Sequence, residues 1–216
     1  MYPTWDLLQR LVHWCFPVLI VFAWWSAENG HMQWHAYCGY TVLVLVLWRI
    51  VWGFIGSTYA KFSQFVVGVP SIVAYLKGNG LEQPGHNPLG GWSVVIILAL
   101  LLLQAISGLF NTDELLLQGP LTVFASSGMI EIASEMHEVV WHATQALVFT
   151  HILVVCYHQW VKKDGLITQM GFGSRLTLGP SKRPRLVLGV LVFVVIAALV
   201  VAIGLWLPEP EPLWSF

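Results

Sequence analysis

The chain has 216 residues, of which 57% are hydrophobic and only 10% are charged. A soluble domain carries about 25% charged residues, because its surface must be hydrated. This composition excludes a globule in water and predicts a protein whose long apolar runs lie in lipid. The net charge is −1, and no basic patch lies outside the short loops, so we expect no nucleic-acid partner.

Five apolar runs of about 20 residues predict transmembrane helices. They cover residues 7–27, 35–54, 92–110, 136–161 and 186–207. No cluster of positive charge precedes the first run, so we expect a retained membrane helix there and not a signal peptide. The fifth run has no ionisable residue, which predicts an anchor or a packing partner. Segment 65–77, interrupted by Pro70, is too short to span and is expected at the membrane interface.

The charged residues predict the orientation of these helices. If the N-terminus is cytoplasmic, all ten Lys and Arg residues fall on the cytoplasmic side, and eight of the eleven Asp and Glu residues fall on the other side. An excess of Lys and Arg in cytoplasmic loops is the usual pattern of membrane proteins. We therefore predict a multi-pass protein of the bacterial inner membrane, with a cytoplasmic N-terminus and a periplasmic C-terminus.

The three cysteines, Cys15, Cys38 and Cys156, lie far apart within apolar stretches. No CxxC pair is present, which argues against zinc-ribbon, iron–sulfur and thioredoxin sites. No CxxCH motif is present either, which argues against a covalently attached haem. We interpret the three cysteines as small buried apolar residues.

Four histidines lie within or at the ends of predicted spans, where ionisable groups are costly and usually functional. They are His13, His35, His137 and His151. His137 and His151 are fourteen residues apart, which places them on one helix face about 21 Å apart along the axis. That separation suits two haems, one in each leaflet.

Helix direction pairs these histidines by depth. Adjacent spans are antiparallel, so His13 shares the inner level with His151, and His35 shares the outer level with His137. Neutral imidazole is a good iron ligand, and a haem with two axial imidazoles is a one-electron carrier. Gly39, one turn after His35, would let a flat porphyrin approach the helix.

Each histidine could instead be a hydrogen-bonded packing residue. His158, two turns after His151, is the alternative inner ligand, and His31, one turn before His35, is the alternative outer ligand. His142 points to another face of its helix, and we expect it to be structural.

The chain resembles the bacterial cytochrome b561 and nickel–iron hydrogenase b-type cytochrome family over about residues 4–172. The residues that carry the resemblance are Arg10-x-x-His13-Trp14, His35-x-x-x-Gly39, Arg49, Trp52-Gly53-Phe54-x-Gly56, Gly85-His86-Asn87-Pro88, His137-Glu138 and His151. The resemblance implies that the axial ligands of two haems are His13, His35, His137 and His151. It also implies electron exchange between a membrane quinone and a redox partner. The fifth helix and the acidic tail have no clear counterpart in the shortest members.

Further residues fit this interpretation at the inner end. Arg10 and Arg49 could bind the propionates of the inner haem, since guanidinium pairs well with carboxylates. Their alternative role is that of interface anchors. His86 and Asn87 offer hydrogen bonds to a quinone carbonyl. The alternative is that this turn simply begins a helix, with Pro88 in its first turn.

We therefore predict an all-α integral membrane helix bundle, with a four-helix di-haem core and a fifth C-terminal transmembrane helix. Residues 1–172 would form the cytochrome b domain, and residues 173–216 a cytoplasmic basic loop, the fifth helix and a short outer tail. The predicted cofactors are two non-covalent haem b groups, with quinone as an exchangeable substrate.

The predicted function is electron transfer between the quinone pool and a periplasmic c-type cytochrome or hydrogenase-like subunit, in a homo- or hetero-oligomer. One alternative is a superoxide:quinone oxidoreductase that acts alone. It ranks lower, because the outer face lacks the positive charge that would steer an anion. The other is a haem-free transporter or assembly protein, whose histidines form a proton or metal path.

Overall fold

The computed structural model describes residues 2–79, 86–112, 118–173, 176–177 and 185–207. Its α-helices are α1 (Leu7–Glu28), α2 (Met32–Ile55), α3 (Val69–Leu76), α4 (Pro88–Phe110), α5 (Ser127–Trp160), α6 (Leu166–Phe172) and α7 (Leu186–Trp206). Short 3₁₀ helices lie at Thr58–Ala60, Phe62–Gln64 and Thr122–Phe124. Two strands of two residues each, β1 (Tyr2–Pro3) and β2 (Leu176–Thr177), pair antiparallel.

Within the described residues, five helices (α1, α2, α4, α5 and α7) are long and apolar enough to cross a membrane. The predicted helical membrane bundle is therefore confirmed. The largest difference in bounds is at α5, which begins at Ser127 and not at 136. Its first turns carry the exposed charged residues Glu131 and Glu135. These turns are helical, although they do not belong to the apolar run that predicts the span.

The segment between α2 and α4 contains the short helix α3, within the predicted non-spanning range. Pro70 lies in the first turn of α3 and not in the middle of a helix. A proline is tolerated there because the first N–H groups of a helix have no intrahelical acceptor.

The packing of the helices leaves a cleft beside α5. Helix α1 packs on α2, α2 on α4 and α7, and α4 on α5. Helix α5 is held by α4 and α6 and is not closely packed against α1 or α2. Space therefore separates the helix that carries His137 and His151 from the helices that carry His13 and His35.

The two ends of the bundle differ in charge. The described Lys and Arg residues all lie where α1 and α7 begin, where α2 and α5 end, or in the segment between α2 and α4, and we call this the basic end. They are Arg10, Arg49, Lys61, Lys77, Lys162, Lys163 and Arg185. Glu28, Glu131, Glu135 and Glu138 lie towards the opposite end, which we call the acidic end.

A buried carboxylate joins α1 to α2 at the basic end. Asp6 caps α1 by accepting a hydrogen bond from the backbone N–H of Gln9 at 2.8 Å. It also accepts from Trp52 Nε1 at 2.9 Å and from the hydroxyl of Ser57 at 2.5 Å. All three bonds converge on one side chain, so the start of α1 and the end of α2 are held in a fixed relation.

Helix α7 packs on α2 through a glycine. Trp48 Nε1 donates to the backbone carbonyl of Gly189 at 2.9 Å. A Cβ atom at Gly189 would clash with the end of the Leu8 side chain and lie 3.1 Å from the Trp52 ring, so glycine allows this approach without a shift of either side chain. The fifth helix is thus a packing partner of the bundle, while the division of the chain at residue 172 stays a prediction.

The cysteines differ in exposure. Cys38 is buried, Cys156 is half-buried and Cys15 is exposed. The interpretation as buried residues is therefore wrong for Cys15. An apolar run in a membrane protein does not predict burial within the protein, because its outer face can meet lipid.

Candidate functional site

His35 on α2 and His137 on α5 face each other at the acidic end. Their ring centroids are 6.0 Å apart, and the ring planes are inclined by 73°. The two helices are not packed closely on one another, so this pair of imidazoles bridges the cleft. The two histidines that were matched by depth are thus brought together.

Each of these imidazoles is oriented by a hydrogen bond at Nδ1. His35 Nδ1 lies 2.9 Å from the carbonyl oxygen of Ala23, which can only accept. His137 Nδ1 lies 3.0 Å from Ser107 Oγ, and the Ser107 hydroxyl itself donates to the Gln104 carbonyl. Both Nδ1 atoms are therefore donors, which leaves Nε2 as the metal-binding nitrogen. Metal-bound histidines are usually fixed in this way.

A cavity of about 400 Å³ surrounds this pair, within the range of small-molecule and cofactor sites, about 300–1,000 Å³. Gly39 and Gly108 line it. A Cβ atom at Gly39 would meet nothing within 4 Å, whereas one at Gly108 would lie 3.1 Å from His137 Cε1. Gly39 thus leaves open space beside His35, and Gly108 makes room for the His137 ring.

His13 and His151 lie together towards the basic end. The two side chains are close enough for their charges to interact, although no direct hydrogen bond joins them among the described contacts. His13 Nδ1 is buried without a hydrogen-bond partner. An unpaired buried ring nitrogen points to a group that completes the site, because burial of a polar atom without a partner is costly.

His86 lies beside this second pair. Its ring is buried between Trp5, at 5.6 Å between centroids, and Phe65, at 4.6 Å. Burial lowers the pKa of His86 to about 3, and the positive charges of Arg49, His13 and His151 lower it further. These four side chains therefore form one cluster.

The two arginines of the basic end are held differently. Arg49 is only 5% exposed, lies 5.1 Å above the Phe62 ring, and both of its Nη atoms are buried without a hydrogen-bond partner. Arg10 Nη1 instead donates to the carbonyl of Gly171 at 3.0 Å, near the end of α6. Both Nη atoms of Arg49 are thus unpaired, whereas in Arg10 the Nε atom is unpaired and Nη1 donates to Gly171.

Asn87 begins α4. Its side-chain oxygen accepts a hydrogen bond from the N–H of Gly90 at 2.7 Å, and Pro88 occupies the first turn. The structure therefore shows the helix-start alternative for this turn, and a role of Asn87 toward quinone stays a prediction. Gly85 lies outside the described residues.

The other histidines have separate environments. His158 Nδ1 is paired with Asp164 Oδ2 at 2.6 Å. His31 is exposed at the start of α2, and His142 is exposed and contacts Gln145 at 3.3 Å. None of the three shares the ring-to-ring or charge contacts of the paired histidines among the contacts described.

Sequence reasoning missed several residues of this region. Ser107 and Gly108 shape the His137 site, and Trp5 Nε1 and Gln9 Oε1 are buried without partners at the basic end. For Ser107 the only available signal was a hydroxyl within an apolar run, and nothing in its spacing links it to His137.

The comparisons with known proteins bear on this arrangement. The family model for prokaryotic cytochrome b561 matches residues 4–173, which include all four paired histidines. The chain belongs to the prokaryotic cytochrome b561 family. No curated protein and no solved structure matches it.

Membership of the cytochrome b561 family makes the protein a membrane b-type cytochrome that binds haem b and takes part in electron transfer. The geometry of its acidic end fits such a group. Two imidazoles on opposite sides of one metal ion place their ring centroids about 6 Å apart, because a metal–nitrogen bond is about 2 Å long and the ring centre lies about 1 Å further back. The spacing of His35 and His137, 6.0 Å, agrees with this value.

Proposed function

We propose that this cytochrome binds two haem b groups and transfers electrons between the quinone pool and a periplasmic redox partner. His35 and His137 would hold one haem, and His13 and His151 the other. The observation that carries the proposal is the His35–His137 pair, 6.0 Å apart in a cavity that Gly39 leaves open. A bound haem supplies a one-electron couple that the side chains of this chain lack.

The remaining residues act by orienting these ligands and their surroundings. Ala23 and Ser107 fix the imidazoles of the acidic-end pair through their Nδ1 atoms. At the basic end, the unpaired Nη atoms of Arg49 suit a propionate. Arg10 is less suited to bind a propionate, because its guanidinium already donates a hydrogen bond to the Gly171 carbonyl.

We place the quinone at the basic end, near His86. His86 Nδ1 and Trp5 Nε1 are both buried without a partner, and their rings are neighbours. A quinone carbonyl needs a hydrogen-bond donor, and a quinol hydroxyl needs an acceptor. These two nitrogens can supply both, while the Asn87 oxygen is used in capping α4.

The partner would bind at the acidic end. Glu28, Glu131, Glu135 and Glu138 are all exposed there, so a partner with a basic docking face would be attracted by charge. The same carboxylates would repel superoxide, which disfavours that alternative. With the basic end in the cytoplasm, as the positive-inside rule predicts, the partner would be periplasmic and the membrane the bacterial inner one.

Reduction by a quinol analogue tests the proposal. The purified cytochrome, oxidised and mixed with a short-chain quinol, should develop the absorption of a reduced b haem. We expect His86→Leu to slow this reduction about tenfold, since a lost hydrogen bond to the quinol costs about 1–1.5 kcal/mol. His142→Leu, a change at an exposed histidine, should leave the rate unchanged. A protein that dithionite reduces but the quinol does not would contradict the proposed substrate.

Ser107→Ala tests the orientation of His137. Removal of the hydroxyl takes away the side-chain acceptor of His137 Nδ1, and loss of such a partner usually lowers metal affinity about 10–100-fold. We expect faster loss of one haem to apomyoglobin, followed by absorbance. Ser93→Ala is the matched control, because Ser93 also donates to the carbonyl three residues earlier on α4 but contacts no histidine in the described structure. Equal rates of haem loss in the two variants would show that Ser107 does not support the site.

A further inference from the structure

The two histidine pairs lie in opposite electrostatic surroundings. Glu28 and Glu138 line the cavity around His35 and His137, and none of the described Lys or Arg residues lines it. At the basic end, Arg49 lies over the Phe62 ring, which packs through Phe65 against His86. His86 interacts electrostatically with Arg49, His13 and His151. A charged group bound in each place would therefore experience fields of opposite sign.

The charge of Arg49 is poorly screened. Its side chain is buried, and its two Nη atoms make no hydrogen bond. Asp6 is close enough to interact with it electrostatically and offsets part of its charge, but no direct ion pair joins the two side chains among the described residues. Charges that are buried interact over longer distances than charges in water. The carboxylates of Glu28 and Glu138 are exposed, so water weakens their effect.

These fields act on a redox potential in a predictable direction. The oxidised form of a haem carries one more positive charge than the reduced form. A nearby cation destabilises the oxidised form and raises the midpoint potential, whereas a nearby carboxylate lowers it. Arg49 should therefore raise the potential at the basic end more than Glu28 and Glu138 lower the potential at the acidic end.

We infer that Arg49 is a positioning residue that sets the potential of the haem held by His13 and His151 above that of the haem held by His35 and His137. The inference rests on the proposed function, since it requires both sites to be filled. It assigns this effect on the potential to Arg49 and not to Arg10, although both arginines carry the same charge and lie at the basic end. Arg10 is partly neutralised by the carbonyl at the end of α6, so its effect should be small.

A redox titration of the full chain with bound haem, followed at the α band, tests the inference. The wild-type protein should show two one-electron components. His13→Ala and His151→Ala should remove the component with the higher midpoint. If those variants remove the lower component, the inference is overturned, whatever the behaviour of the Arg49 variants.

The Arg49 variants supply the second arm. Arg49→Gln should lower the higher midpoint and bring the two components together, while Arg49→Lys, which keeps the charge, should retain most of the separation. Arg10→Gln should move neither midpoint appreciably. Unmoved midpoints in Arg49→Gln, or the same fall in Arg49→Lys, would overturn the role of the Arg49 charge. The haem content is measured on the same samples. A wild-type protein with fewer than two haems would refute the proposed function, whereas two haems with an unmoved midpoint in Arg49→Gln would refute only the role of Arg49.

Discussion

His137→Ala is expected to abolish one of the two haem signals and to leave the other intact. The variant removes one of two imidazoles that face each other across the cavity, and the remaining ring of His35 cannot hold a six-coordinate iron alone. His35→Ala should remove the same component. The surviving haem should keep a six-coordinate low-spin spectrum, because His13 and His151 lie elsewhere in the bundle. Reduced-minus-oxidised spectra combined with redox titration of each variant measure this directly.

Two other histidines on α5 provide controls for that experiment. His142→Ala changes an exposed side chain, and His158→Ala changes one that is paired with Asp164. Both should retain two components. If His35→Ala and His137→Ala removed different components, the pairing by depth would be wrong. Retention of both haems in His151→Ala would instead identify His158 as the ligand at the basic end.

The second large effect is expected at the contact between α7 and α2. Gly189→Leu would place its Cβ against the end of the Leu8 side chain and 3.1 Å from the Trp52 ring, and the rest of the leucine side chain needs further space, so we expect α7 to be displaced. Overpacking of this kind costs about 1–3 kcal/mol. Displacement of α7 also leaves the Trp48 N–H without its acceptor, at a cost of about 1–3 kcal/mol. We expect a clearly lower unfolding temperature in detergent, measured by circular dichroism.

Gly204→Leu is the matched control for this change. Gly204 lies on the same helix, but a Cβ there would meet nothing within 4 Å. Its substitution should change the unfolding temperature little. Equal stability of the two variants would show that α7 does not depend on close packing at Gly189.

The helical spans could be predicted because a membrane requires long apolar segments, and the same requirement gives the approximate ends of all of them except the start of α5. The pairing of His35 with His137 followed from helix direction and a fourteen-residue spacing, which depend only on helix geometry. The start of α5 was missed because Glu131 and Glu135 make its first turns polar. These polar turns belong to the helix, which extends beyond the apolar segment, and they do not mark its boundary.

Other features depend on contacts between residues distant in sequence. Ser107 orients His137 only because α4 packs against α5 at that level, and Asp6 reaches Trp52 only because α1 and α2 are antiparallel. The contrast between Arg10 and Arg49 has the same origin. Both were predicted as propionate ligands from charge and depth, and only the fold shows that Gly171 accepts from Nη1 of Arg10 while both Nη atoms of Arg49 stay unpaired.

The number of haems per chain tests the central claim most directly. The purified full-length protein is assayed as the pyridine haemochrome, with the protein concentration determined by amino-acid analysis. Four paired histidines in two separate places predict two non-covalent haem b groups per chain, and the His35→Ala and His13→Ala variants should each contain one. A wild-type value of one haem or none would contradict the account.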